Sequence, residues 1–189
     1  MSNSILDQTF KNKNFSGQKL PAREYDNCIF FNCNFSDTDL SVITFLECKF
    51  DRCNFNNVMM KETSFQEVVF TECKMLGIDF STCNDFLFTI ELDHCNLEYA
   101  SFYGFKLKNT IFRSCNLKRA DFTETNLTGS VFANCDLAEA LFERTIASKT
   151  DFRSAKNYNI NPESNMLKNA KFSVLGLQGL LMKYDLDIE

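Results

Sequence analysis

The sequence predicts an all-β fold, a four-sided parallel β-helix with twenty residues per coil that ends in a short C-terminal helix. Apolar residues recur every five positions, and particular residue types recur every twenty. The composition supports this prediction, because 21 of the 189 residues are Phe while Trp is absent. Such a bias indicates one structural position that is filled repeatedly by one side-chain shape.

The five-residue period runs in two registers. A first set of apolar centres extends from Phe10 to Phe80, and a second set, displaced by two residues, extends from Leu92 to Phe152. From Cys28 onward, most centres follow a small or β-branched residue two positions earlier. Positions two apart share one face of a strand, so each pentapeptide is expected to bury one small and one large side chain.

Neither an α-helix nor a flat strand can use this period. Centres five residues apart would be about 140° apart around a helix axis, and an odd repeat puts successive centres on opposite faces of a strand. A bend in every pentapeptide keeps all centres inward. The spacing of Cys95, Cys115 and Cys135 by twenty then indicates four faces per coil. Residues 10 to 172 would form about eight coils and a rod of roughly 40 Å.

Two consecutive segments, Cys-Asn-Leu-Lys-Arg at 115–119 and Ala-Asp-Phe-Thr-Glu at 120–124, resemble the pentapeptide-repeat family. The resemblance covers about residues 25–155 and implies a right-handed quadrilateral β-helix over residues 25–172. Residues 1–24 are expected to form an N-terminal cap or an irregular first coil. The small-residue position is polar there, with Gln8, Lys13, Gln18 and Arg23.

The pattern breaks at two places. Continuing the first register would bury Asp85 at a centre at a heavy desolvation cost, so the chain is expected to leave register near 81–91 through a bulge or short loop. An evolutionary seam and a partner-contacting loop both fit this break. Residues 156–169 are rich in turn-forming residues and predict a decorated last coil, after which Phe172 returns to phase.

Residues 173–189 predict a capping helix and an exit strand. Ser173 can cap a short helix whose apolar side chains recur at helical spacing. The closing residues are similar to the C-terminal helix and exit strand of the Qnr group, the quinolone-resistance pentapeptide proteins. This resemblance implies a homodimer joined through the C-terminus, with an expected interface of Leu177, Leu180, Leu181, Met182, Tyr184, Leu186 and Ile188.

No residue pattern predicts an enzyme, a cofactor or a metal site. The nine cysteines occupy the inward small-residue position and form no CxxC pair, so we interpret them as buried small residues. His94 is the only imidazole and is expected to face outward, which leaves no pairing of a nucleophile with a base. The six glycines are scattered and form no phosphate-binding loop.

The sequence predicts a cytoplasmic protein without a membrane partner. Its N-terminus has neither the basic start nor the apolar run of a signal peptide, and no stretch approaches the roughly 20 apolar residues of a membrane span. The net charge of −5 argues against direct binding of nucleic acid, whose phosphates select basic surfaces.

Charge is segregated along the chain. Residues 24–85 contain eleven Asp and Glu against four Lys and Arg, whereas residues 99–120 contain five bases and no acid. B-DNA carries one charge per about 1.7 Å, so the acidic segment approaches the charge density of duplex over its roughly 15 Å. The expected partner-binding residues are Glu47, Glu62, Glu67, Glu72, Asp85, Glu91 and Asp93.

The resemblance to the Qnr group implies that the partner is DNA gyrase or topoisomerase IV. The chain would then protect the enzyme from quinolones or from a gyrase-poisoning toxin, partly by mimicking DNA. The alternative is a cytosolic scaffold or adaptor with another protein partner, because centres and small residues build only the core and leave the outer surface free to vary.

Overall fold

The computed structural model describes residues 4–187 and consists of short parallel strands stacked along one axis. Each pentapeptide has room for only one short extended stretch before the next turn. The strands are β1 (Ser4–Leu6), β2 (Thr9–Lys11), β3 (Glu24–Asp26), β4 (Ile29–Phe31), β5 (Thr44–Leu46), β6 (Lys49–Asp51), β7 (Ser64–Gln66), β8 (Val68–Thr71), β9 (Ile90–Asp93), β10 (Ile111–Arg113) and β11 (Val131–Ala133).

The strands form two sheets, ordered β1-β3-β5-β7 and β11-β10-β9-β8-β6-β4-β2. Paired residues are twenty apart before the break, as for Phe30 and Phe50, and again after it, as for Phe112 and Phe132. Isolated bridges continue the other two faces at the same spacing, except across the break, where Lys74 pairs with Asn96 and Asp79 with Ser101. The predicted fold class, a four-sided parallel β-helix with twenty residues per coil, is therefore confirmed. The seven strands of the longer sheet and bridges to Asp151 and Lys171 give a length of about 38 Å.

The apolar centres fill the interior as columns of aromatic rings. Phe50 stacks on Phe30 and on Phe70 with ring centroids 4.8 and 5.1 Å apart. It also meets Phe55 of the neighbouring column edge-on at 5.1 Å. Both geometries are favourable for aromatic pairs. The same arrangement recurs after the break, where Phe122 stacks on Phe102 and Phe142.

The small-residue position supplies a hydrogen bond as well as a compact shape. Thr125 Oγ1 donates to the carbonyl of Phe102 at 2.7 Å, and Cys48 Sγ donates to the carbonyl of Tyr25 at 3.3 Å. In each case the acceptor is the centre of the preceding coil. Cys, Thr and Ser recur at this position because each is small and can donate a hydrogen bond.

The corners of the coil lie two residues after the centres. Asp37, for example, has φ 58°, and the N–H of Thr38 donates to the carbonyl of Phe35 at 3.1 Å. This is a β-turn with positive φ at its third residue, the position where Gly and Asn are usually favoured. Charged side chains occupy many of these corners here, among them Glu67 and Arg119.

The first coil, residues 4–24, pairs with the second through β1 and β2. Gln8, Lys13, Gln18 and Arg23 are exposed. In later coils, the side chain at the small-residue position donates to a backbone carbonyl of the preceding coil. Within the described residues, no coil precedes the first one. Gln18 Nε2 donates instead to the nearby carbonyl of Asn14.

The register shift lies between Asn84 and Thr89. The N–H of Asn84 still donates to the carbonyl of Thr63 at the regular offset, whereas Val68 pairs with Ile90, two residues further on than in other coils. The two extra residues are therefore accommodated in a loop of residues 85–88 beside β7. A 3-10 turn at Phe80–Thr82 precedes the loop.

The last coil keeps its length, because Asp151 pairs with Lys171. Beyond it, a 3-10 turn (Val174–Gly176), helix α1 (Gln178–Leu181) and a second 3-10 turn (Met182–Tyr184) cross the end of the rod. The side chain of Ser173 caps this segment by accepting from the N–H of Gly176 at 3.1 Å. Helix α1 is shorter than the sequence pattern indicates, and residues 185–187 lie in no strand.

Candidate functional site

Four of the expected partner-binding acids occupy corners of the coil. Glu47 and Glu67 lie one coil apart on the same corner, since Thr44 to Leu46 pair with Ser64 to Gln66 immediately before them. Glu62, Glu67 and Glu72 occupy successive corners, each with φ between 51° and 58°. A flat partner can therefore contact Glu47 and Glu67 together, but not all four carboxylates at once.

Asp85 lies in the loop at the register shift. It is exposed, and its carboxylate accepts from Lys106 Nζ at 2.7 Å. The next two residues, Phe86 and Leu87, have exposed fractions of 69% and 62%. Phe88 turns back into the rod and packs edge-on against Phe105 at 4.7 Å. The loop thus presents an apolar tip beside an acid, a feature that sequence reasoning did not single out although these residues could not continue the inward pattern.

Glu91 and Asp93 lie on the outer surface of β9. Glu91 pairs with Arg113 at 3.2 Å, and Asp93 accepts from the exposed ring of His94 at 2.8 Å. A shallow groove of about 440 Å³ is lined by Glu67 and Val69 on one side and by Thr89 and Glu91 on the other. The structure therefore brings Glu91 near Glu67. Glu62 and Glu72 lie on other corners of the coil, one before and one after the corner of Glu67.

The acids of residues 24–85 have few charged partners. Within the described chain, only Asp51 and Asp85 of this segment form ion pairs, with Arg52 and Lys106. The others have no cation within ion-pair distance: Glu24, Asp26, Asp37, Asp39, Glu47, Glu62, Glu67, Glu72 and Asp79. This part of the rod consequently presents an uncompensated negative surface.

The basic residues of 99–120 are largely neutralised by neighbouring coils. Lys118 pairs with Asp136 at 3.2 Å, and Arg119 pairs with Glu139 at 2.9 Å while its guanidinium lies over the Tyr99 ring. Lys106 and Arg113 bind the acids at the break, as described above. The bases that cluster in the sequence therefore do not form an uncompensated basic surface in the structure.

All nine cysteines are buried and unpaired. Burial raises the pKa of the Cys48 thiol to about 12, and burial likewise raises the pKa of Cys73. Within residues 4–187, no group of three or more His, Cys, Asp or Glu side chains is arranged to hold a metal. In the same range, no helix has the length and apolarity needed to cross a membrane.

The residues expected at the dimer interface divide into two groups. Leu180 packs against the core and Leu181 is half-buried, so these two cover the end of the rod. The exposed members are Leu177, Met182, Tyr184 and Leu186, with exposed fractions of 44 to 58%. Ile188 lies outside the described residues.

Comparisons with known proteins agree with this architecture. The family model described as the pentapeptide repeat region matches residues 23–102. The model of pentapeptide repeats in eight copies matches residues 90–129 and 125–156. No curated protein matches the chain.

Solved structures provide a further comparison. A trypsin-treated form of QnrB1, a plasmid-mediated fluoroquinolone resistance protein, is 18% identical over 100% of both chains, with a TM-score of 0.53. HetL, a pentapeptide repeat protein involved in heterocyst differentiation regulation from the cyanobacterium Nostoc sp., is 17% identical with a TM-score of 0.39, over 90% of this chain and 87% of its own. At 18% identity, the likeness to QnrB1 bears on the fold alone. With family models covering more than half of its length and a repeat that closes a four-sided coil, the chain belongs to the pentapeptide-repeat family.

Proposed function

We propose that this protein binds DNA gyrase or topoisomerase IV through the acidic part of its rod and protects the enzyme from quinolones or from a gyrase-poisoning toxin. It would act as a binding surface, partly mimicking DNA, and would catalyse no reaction. The observation that carries the proposal is the set of carboxylates in residues 24–85 that have no ion-pair partner. The fold shared with QnrB1, a fluoroquinolone resistance protein, supports the proposal.

The negative charge of residues 24–85 approaches that of duplex DNA of the same length. Residues 24–85 span about three coils, or roughly 15 Å, and B-DNA presents about nine charges over that length. The segment has a net charge of −7 from its eleven acids and four bases. A basic groove that accommodates duplex would attract this surface, and the attraction would fall steeply with added salt.

Geometry concentrates the contact on one corner. Because Glu62, Glu67 and Glu72 surround the coil, the mimicry is regional, with Glu47 and Glu67 as the pair that can act together. The neighbouring loop adds Asp85 and the exposed side chains of Phe86 and Leu87. Charge would then guide association, and the apolar tip would supply contact area that a purely electrostatic surface lacks.

The test is gyrase supercoiling in the presence of ciprofloxacin, titrated with this protein. We expect the native chain to restore supercoiling and the Glu47→Lys/Glu67→Lys variant to lose most of that effect. Glu67→Lys and Glu143→Lys form a matched pair, since each reverses the charge of one exposed acid at or next to a corner of the coil. Only the former should weaken rescue.

Failure to restore supercoiling at any dose, with unchanged drug susceptibility on expression, would reject the proposal. The scaffold alternative would then be favoured. Rescue that is equally sensitive to Glu143→Lys would show that net charge matters and the Glu47 and Glu67 corner does not.

A further inference from the structure

The C-terminal segment and the last coil enclose a cleft that the acidic surface does not use. Its volume is about 730 Å³, within the range of about 300 to 1,000 Å³ that small-molecule sites usually have. The last coil forms one wall and the segment after Phe172 forms the other. The side chains that matter are Arg153, Lys156 and Tyr158 on the coil, and Ser173, Leu175 and Met182 on the segment.

The cleft is lined by two cations, of which Arg153 is paired with Asp151 and Lys156 is not. Arg153 and Lys156 line it, and no Asp or Glu is among its lining residues. Arg153 is held by Asp151 through Nε and Nη2, which leaves Nη1 without a partner in that pair. Lys156 forms no ion pair within the described chain. An anion is therefore the ligand that this electrostatic environment favours.

A buried hydroxyl at the base of the cleft lacks a hydrogen-bond partner. Tyr158 is 4% exposed, and its Oη is the one buried side-chain oxygen or nitrogen without a partner in residues 4–187. Leaving such a group unpaired is costly, so a vacant donor of this kind points to an acceptor that the chain itself does not provide. Burial raises the pKa of Tyr158 above its ordinary value, so the hydroxyl is protonated and can donate at neutral pH with or without this shift.

Two hydroxyls converge under the C-terminal segment. A Cβ on Gly176 would collide with Tyr158 Oη and lie 3.2 Å from Ser173 Oγ, so the Gly176 backbone packs directly over the Tyr158 hydroxyl. Above it, Leu175 is 95% exposed and Met182 is 57% exposed. A ligand oxygen therefore reaches Tyr158 Oη only when Leu175 and Gly176, the exposed part of the segment, move away from the coil.

We propose that the cleft binds a small organic anion, with its acidic oxygens accepting from Tyr158 Oη near Lys156 and Arg153, and its apolar part contacting Leu175 and Met182. A carboxylate, sulfonate or phosphate shares this chemistry. Since Met182 also belongs to the expected dimer interface, an occupied cleft would lie against the C-terminal contact.

The test uses the full chain and the probe 8-anilinonaphthalene-1-sulfonate, an aromatic sulfonate, with binding measured by fluorescence and calorimetry. We expect one saturable site per chain. Tyr158→Phe and Lys156→Gln should each weaken binding by about tenfold or more through loss of a charge-assisted contact. Lys168→Gln, which removes an exposed cation of the same coil outside the cleft, should leave binding unchanged.

Tyr158→Phe keeps the ring that packs against Phe152 and Phe172, so folding should be retained, and urea unfolding checks this. The proposal is overturned if no saturable binding occurs. It is also overturned if binding survives both substitutions, because the probe would then occupy the apolar end of the segment and the hydroxyl would be satisfied by water. Neither result depends on gyrase supercoiling.

Discussion

Residues 24–85 and residues 98–153 are two stretches of one solenoid with different outer surfaces. Their interiors match: Phe45 stacks on Phe65 at 5.5 Å in the first, and Phe112 stacks on Phe132 at 4.8 Å in the second. Their charges do not match. In the second stretch five of the seven acids are ion-paired, several to residues one coil away: Glu98, Glu124, Asp136, Glu139 and Asp151.

The difference shows that surface ion pairs do not hold this fold together. The first stretch forms the same coil with almost none of them, and exposed pairs contribute little to stability in general. The interior is therefore sufficient for the fold, and the outer charges are free to serve another purpose. The unpaired acids of the first stretch are the part of the surface through which we propose that a partner binds.

The largest expected effect concerns the C-terminal segment, which follows the second stretch and the last coil. We expect the native chain to be a dimer, and truncation after Phe172 to give a monomer, because it removes the exposed Leu177 and Leu186 of the expected interface. The milder Leu177→Asp/Leu186→Asp variant should do the same while leaving Leu180 against the core. Glu47→Lys/Glu67→Lys, in the first stretch, should remain dimeric.

Light scattering at micromolar concentration measures these masses. A monomer mass for the native chain would contradict the predicted dimer. A dimer that persists after truncation would place the interface elsewhere on the rod.

Core substitutions should affect both stretches equally. Phe50→Ala and Phe122→Ala should each cost about 3 to 5 kcal/mol, since each leaves a cavity between two stacked rings. Urea unfolding monitored by circular dichroism gives the two values. A cost of less than about 1 kcal/mol for either variant would mean that the interior is not shared in the way the stacking indicates.

Thiol labelling should be slow along the whole rod, because all nine cysteines are buried. With the pKa of Cys48 raised to about 12, its thiolate fraction at neutral pH should be lower than that of a free cysteine on the order of a thousandfold. We expect correspondingly slow labelling by a thiol reagent in native protein, and labelling of all nine cysteines in urea. Fast native labelling of cysteines on one side of the break would show that this stretch is open to solvent.

The smallest effect concerns the ion pairs themselves. Arg144 holds the pKa of Glu124 below its usual range, so Arg144→Gln should raise that pKa toward the ordinary value. Because the folded pKa is lowered, the pair contributes stability above the unfolded value near about 4.3 and loses it as pH falls through the folded pKa. An NMR titration of the carboxylates reports the shift. An unchanged Glu124 pKa in Arg144→Gln would mean that the pair does not persist in solution.

Sequence reasoning anticipated the core of this protein in detail. The five-residue period specified that Phe30, Phe122 and the cysteines face inward, and the twenty-residue spacing specified four faces, because only a bend in every pentapeptide reconciles an odd repeat with a single buried side. It did not anticipate the hydrogen bonds from the small-residue position to the preceding coil. Those bonds depend on how two coils are offset, which no single pentapeptide reveals.

The outer surface was less predictable. Counting charges located an excess of acid in residues 24–85 and of base in residues 99–120. Only the stacking of coils showed that Arg119 faces Glu139 and Lys106 faces Asp85, while Glu47 and Glu67 have no such partners. The C-terminal segment was also only partly predictable. Helical spacing indicated an apolar stripe, but it did not indicate that Leu180 contacts the core and that Leu177 is exposed.

The sequence by itself determined the family, through its repeat. It also determined the inward register and the position of the register shift, because burying a charge or exposing a column of Phe has a free-energy cost that the local pattern reveals. The tertiary structure decided which charges are neutralised, where the loop of residues 85–88 presents Phe86 and Leu87, and how the last coil and the C-terminal segment enclose a cleft around Tyr158. These features arise between residues about twenty positions apart, and their distances are set by the closure of the coil and not by neighbours along the chain.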